Sequence, residues 1–119
     1  KNITEGSINR WISKSYLKKN PNVYKFFFNL LENKNNKDFI PAYKIFVESD
    51  KNKLDLSKFN MPTLIMTGEN EIGSTPKMSE ELNKEINNSF LYIIKDAKHG
   101  ATIEKENDVN NQLSKFLFN

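Results

Sequence analysis

The chain has 119 residues, 37% of them hydrophobic, and a net charge of +3 from 18 basic and 15 acidic side chains. That length allows one domain with a core of its own and is too short for two. Cysteine is absent, which excludes a disulfide framework and thiolate chemistry, and the lysines alternate with acids, as over 77–85 and 104–108, like a solvated face rather than a phosphate-binding stripe.

No apolar run approaches the roughly 20 residues needed to span a bilayer, and no signal-like leader opens the chain. A soluble, cytoplasmic protein with neither a membrane nor a nucleic-acid partner is therefore expected. The chain begins on Lys1 rather than Met, which leads us to expect a fragment or a processed product.

Residues 1–59 hold no convincing strand. Ile8, Trp11, Ile12 and Ser15 recur at helical spacing, which predicts a helix over 7–17 with Ser7 as its N-cap. Asn20-Pro21 ends it, because the residue before proline is pushed out of the α region. Pro21 then suits the first turn of a second helix over 22–33, with Val23, Tyr24, Phe27, Phe28, Leu30 and Leu31 as its apolar set. After the polar linker 34–37, a third helix is expected over 38–50, capped by Asp38 and carrying Phe39, Tyr43, Phe46 and Val47 on one face. Helices this short need a surface for their aromatic faces. Trp11 and those faces read as packing.

From residue 60 the pattern alternates. An apolar strand is predicted over 64–67, and Met61-Pro62 marks where it is entered. Thr75 caps a helix that Pro76 opens and that runs to about Ile86, with Met78, Leu82 and Ile86 on one side. Asn87-Asn88 turns the chain into a second strand over 90–94, and a last helix covers about 107–118. Neither strand alternates with polar residues, so both are expected to be parallel and buried on both faces, joined by a right-handed crossover. The fold class is α/β. Two strands make no stable doubly wound sheet, and an unpaired apolar edge is a template for another chain. If these residues are the whole molecule, a homo-oligomer through the sheet edge or the aromatic helices is expected.

The chemistry centres on His99, the only histidine. It lies five residues after Ile94, and Glu71 lies four after Thr67, so both sit on loops just beyond strand ends. In a Ser–His–acid system the imidazole takes the serine proton, while a carboxylate on the other ring nitrogen fixes the tautomer. Glu71 is the favoured carboxylate, with Glu69 and Asp96 as nearby alternatives; Asn70 and Ser74 read as turn and cap residues. The nucleophile is missing. The glycines are Gly6, Gly68, Gly73 and Gly100, and none frames a serine in the G-x-S-x-G pattern of a nucleophile elbow. There is no glycine-rich oxyanion or phosphate loop and no metal-ligand spacing, so neither a cofactor nor a metal is expected.

Several segments together resemble the C-terminal part of the α/β-hydrolase family. They are Pro62-Thr63-Leu64-Ile65-Met66-Thr67-Gly68-Glu69-Asn70-Glu71, Ser74-Thr75-Pro76, Lys98-His99-Gly100 with Ile103-Glu104 after it, and Phe116-Leu117. The order strand, acidic turn, helix, strand, histidine is the family's order after its nucleophile. Ile8-Asn9-Arg10-Trp11 and Asn20-Pro21 are similar to the helical cap of the 3-oxoadipate enol-lactonase-like branch. The resemblance implies a cap-like segment over 1–59 followed by a βαβα end of the hydrolase core over 60–119. It also implies His99 as general base and acid, Glu71 as its orienting carboxylate, a serine upstream of Lys1, and a small carboxylic ester or lactone as substrate of the complete enzyme. The 119 residues alone would be inactive. The competing reading is a non-catalytic α/β module that binds a protein partner through the same apolar surfaces.

Overall fold

A computed structural model describes residues 2–49, 51 and 54–118. Four helices come first: α1 (Asn2–Trp11), α2 (Lys14–Lys19), α3 (Pro21–Glu32) and α4 (Asn36–Ser49). A single 3-10 turn at Leu56–Lys58 leads into β1 (Thr63–Gly68), α5 (Pro76–Glu85), β2 (Ser89–Ile94), α6 (Ala101–Glu104) and α7 (Glu106–Phe118). The α/β class and the two parallel strands are as the sequence predicts. β1 and β2 pair in parallel with α5 as the crossover, in a register that sets Leu64 beside Phe90, Met66 beside Tyr92 and Gly68 beside Ile94.

The first helix differs from expectation. The predicted 7–17 helix is two helices, broken at Ile12-Ser13, and Ser7 lies inside α1 rather than capping it. The reason is local. Ser13 adopts extended backbone angles, and its Oγ accepts from Tyr16 N at 3.3 Å, so the chain restarts as α2. The third helix begins at Asn36, two residues before the expected cap. Asn35 caps it instead: its Oδ1 accepts from Lys37 N at 3.0 Å, and its Nδ2 donates to Asp38 Oδ2 at 2.7 Å. The expected end at Asp50 lies outside the described residues. Pro41 is accommodated inside α4 despite supplying no backbone N–H.

Two apolar clusters hold the chain. Ile8, Ile12 and Leu17 are buried at the α1–α2 corner, packed by Trp11, Phe27 and Phe28 and also by Ile103 from α6. Trp11 meets Phe27 edge-on, with ring centroids 5.9 Å apart, as its packing role requires. Thr4, buried on α1, donates its hydroxyl to Glu32 of α3 at 2.6 Å. The second cluster joins Ile94, Ala97, Ala101 and Val109, with Met66 and Tyr92 against it, so α7 covers the sheet face that displays those two residues. Tyr92 donates its hydroxyl to Asp108 of α7 at 2.9 Å, and this bond to a carboxylate raises the phenol pKa above its usual value.

Burial of the strands is less complete than their composition suggests. Within β1 only Ile65, Thr67 and Gly68 are buried; within β2 only Ile94 is, and Phe90 is exposed. A two-stranded sheet leaves each strand with one unpaired edge, and side chains that read as doubly covered find solvent instead of neighbours. The same holds for α3 and α4, which have no fully buried residue; Phe26, Leu30, Ile40 and Phe46 are exposed.

The corner of α1 and α2 should dominate the stability of the helical half. Ile12 is completely buried there, and Ile12→Ala is expected to cost about 2–5 kcal/mol in chemical denaturation, through lost burial and the cavity left behind. A loss within experimental error would contradict the placement of this core.

Candidate active site

The candidate site forms where the two parallel strands end. β1 delivers the loop 69–75, and β2 delivers the loop 95–100. Backbone bonds stitch these loops together: Glu69 N donates to Ile94 O at 2.9 Å, and Asn70 N donates to Ala97 O at 2.8 Å. Gly68 permits the approach. A Cβ built there would stand 2.4 Å from Ala97 O and 2.5 Å from Lys98 O, well inside contact distance. A residue other than glycine at the end of β1 would push the histidine loop away.

That stitching brings Glu71 to His99. Glu71 is buried, 6% exposed. Its Oε1 accepts from Gly73 N at 2.6 Å, and its Oε2 is hydrogen-bonded to His99 Nδ1. Burial by itself pushes the Glu71 carboxyl upward, but the Gly73 N–H, the hydrogen bond and charge of His99, and the Ser74 backbone together hold it below the ordinary value of 4.5. The carboxyl is therefore ionised and can only accept, which makes Nδ1 the protonated ring nitrogen and leaves Nε2 as the basic one. The imidazole is open to a reactant, with 58% of its side chain exposed.

The two alternative carboxylates lie elsewhere. Glu69 Oε2 accepts from Asp96 N at 3.0 Å and so braces the second loop. Asp96 turns that loop with a left-handed φ of 56°, a conformation Asp tolerates. Thr75 caps α5 as expected, accepting from Met78 N at 3.3 Å, and Thr67 Oγ1 donates to Ser74 O at 2.8 Å to close the turn. Sequence reasoning missed the Gly73 N–H as a ligand of the acid. The signal was present: an acid two residues before a glycine, in a turn between strand and helix.

A cavity of about 320 Å³ opens beside the pair, lined by Met66, Gly68, Ile94, Ala101 and Val109 together with Glu71 and His99. A larger apolar one of about 460 Å³ lies at the opposite end of the strands, at Pro62, Leu64, Phe90 and Phe116. From Leu64 to Gly68 is about 13 Å at strand rise, so the larger cavity is remote from Glu71 and His99. Among the described residues no three His, Asp or Glu side chains gather in a way that could hold a metal ion, and no helix there is long and apolar enough to cross a membrane.

Two outcomes follow from this geometry. Gly68→Ala should lower stability by about 1–3 kcal/mol, the usual cost of overpacking a tight site, and thermal unfolding alongside wild type will show it; an unchanged midpoint would mean that the loops are not in contact. The lowered pKa of Glu71 sets a pH dependence. Because the unfolded chain binds this proton more readily, the contribution is complete above the ordinary carboxylate range and is lost as pH falls through the lowered folded value. Wild type should therefore lose stability on acidification more steeply than Glu71→Gln, with the two slopes converging above that range. Parallel slopes throughout would contradict the pairing.

No protein-family model matches the sequence, and no curated protein matches it. Among solved structures, the enol-lactonase from Burkholderia xenovorans LB400 superposes with a TM-score of 0.84 at 20% sequence identity, covering 98% of this chain and 44% of that one. This chain thus spans less than half the length of the enzyme it resembles. What the likeness establishes is architecture: the chain has the fold of the C-terminal part of an α/β-hydrolase.

Proposed function

We propose that this chain supplies the acid and the histidine of a Ser–His–acid hydrolase acting on a small carboxylic ester or lactone. One observation carries the reading: a buried carboxylate, Glu71, bonded to Nδ1 of the only histidine, at the adjacent ends of two parallel strands. The likeness to an enol-lactonase supports the substrate class. Residues 1–59 are then the helical cap and residues 60–119 the end of the catalytic core.

In this mechanism Nε2 of His99 takes the proton of a serine hydroxyl as its oxygen attacks the ester carbonyl. Glu71 holds the proton on Nδ1 and stabilises the imidazolium. The imidazolium then protonates the departing alkoxide, which in a lactone stays tethered to the acyl group. Water repeats the sequence and releases the acid. The serine and the oxyanion donors come from residues outside these 119, since no serine here stands in a G-x-S-x-G frame.

A second reading, a non-catalytic interaction module, is favoured by the apolar side chains that α3 and α4 expose. The two readings part on substitution of the acid. In the protein that contains both this chain and its serine, Glu71→Gln should lower kcat about 10³–10⁴-fold with KM little changed, because the neutral amide no longer selects the Nδ1–H tautomer. Near-normal turnover would remove Glu71 from the mechanism, and absence of hydrolysis in wild type would favour the interaction module.

The same exposed surfaces bear on association. The polypeptide 1–119 studied alone should self-associate through its sheet edges or aromatic helices at micromolar concentration in sedimentation equilibrium. A 13.9 kDa species that unfolds cooperatively would show that these surfaces need no cover.

A further inference from the structure

Glu104 is a second buried acid that the mechanism does not use. It ends α6, is 9% exposed, and divides its carboxylate between two backbone amides. Oε2 accepts from Ser13 N at 3.0 Å, and Oε1 accepts from Lys98 N at 3.2 Å. The first amide belongs to the corner between α1 and α2; the second belongs to the residue immediately before His99. An ionised carboxylate is costly to bury unless its oxygens are bonded, and here the donors come from two segments far apart in sequence.

Two other bonds join the same loop to the same corner. Gly100 N donates to Trp11 O at 2.7 Å, and Lys98 Nζ donates to Asn9 O at 2.6 Å. The packing at Gly100 is tight: a Cβ there would stand 3.1 Å from Ile12 Cδ1 and 3.2 Å from Trp11 O. Both residues flanking His99 are thus tied to the helical half, whereas the exposed imidazole itself has its hydrogen bond to Glu71.

We infer that Glu104 is a positioning residue for His99: by clamping the histidine loop to the α1–α2 corner it keeps the imidazole on Glu71, and it makes the placement of that imidazole depend on the helical segment. The role rests on the reading of His99 as the base. A catalytic side chain on a loop needs such support, because small displacements of a proton-transfer group cost rate. A glutamine at this position could keep one bond only, since its amide NH₂ would face a backbone N–H donor with another donor.

With a single histidine in the chain, imidazole ¹⁵N NMR reads this group without ambiguity. In wild type with the imidazole neutral, the spectrum should show the Nδ1–H tautomer. Glu104→Gln should mix in the Nε2–H tautomer and speed exchange of the Nδ1 proton with water about tenfold, the effect of losing one bond to a charged acceptor. Lys98→Met, which leaves the buried carboxylate in place, should move both readouts in the same direction by a smaller factor. Thr4→Val removes a partly buried hydrogen bond between α1 and α3 and serves as the structural control, with neither readout moved. An unmoved tautomer and exchange rate in either folded variant at position 98 or 104, or an equal shift in the Thr4→Val control, overturns the proposal. Because these readouts need no turnover, an inactive whole protein would count against the hydrolase reading alone.

Discussion

A carboxylate taken out of water must find donors for its oxygens, and the way Glu71 meets that demand organises the end of the molecule where the two strands stop. One oxygen is bound by the Gly73 amide, which fixes the turn that follows β1. The other is bound by His99 from the loop that follows β2. The acid therefore joins two loops that share no sequence neighbourhood. It can do so only because β1 and β2 lie side by side in parallel and end in register, Gly68 beside Ile94. The missing side chain at Gly68 lets the second loop cross the first closely enough for the bond to form.

The same arrangement assigns a task to each half of the chain. The βαβ unit brings Glu71 and His99 to one edge, a consequence of parallel pairing with a helical crossover. The helical half is tied to the loop that carries His99, through the Glu104 carboxylate and the amide and ammonium donors at Gly100 and Lys98. Two buried acids thus frame one exposed imidazole. Glu71 binds its ring, and Glu104 binds the backbone amide of Lys98, the residue before His99.

Much of this was legible in the sequence because the relevant residues sit at the ends of apolar runs. The runs around Leu64 and Phe90 read as strands, and Glu71 and His99 read as the residues just beyond them. Thr75-Pro76 is both a capping signal and a first-turn signal, and α5 starts there. The break at Ser13 was hidden, because serine is compatible with a helix interior as well as with a cap, and the apolar spacing continues across it. The four-residue α6 lacks the length to show a period. Glu104 read as part of a solvated face over 104–108 and is buried instead: its partners are backbone amides, which carry no sequence signature, and one of them lies 91 positions away. The strands misled in the opposite sense. Their composition predicts two covered faces, which the described residues do not provide for Phe90 or Leu64.

The central claim is that His99, oriented by Glu71, activates a serine. Its most direct measurement is covalent labelling by a fluorophosphonate probe of the protein that carries this chain together with its nucleophile. The account predicts rapid labelling of one serine in wild type and a large loss of labelling rate in His99→Ala, with the fold intact by circular dichroism. Labelling that proceeds at the wild-type rate without the imidazole, or no labelling of the wild-type protein at all, would contradict it.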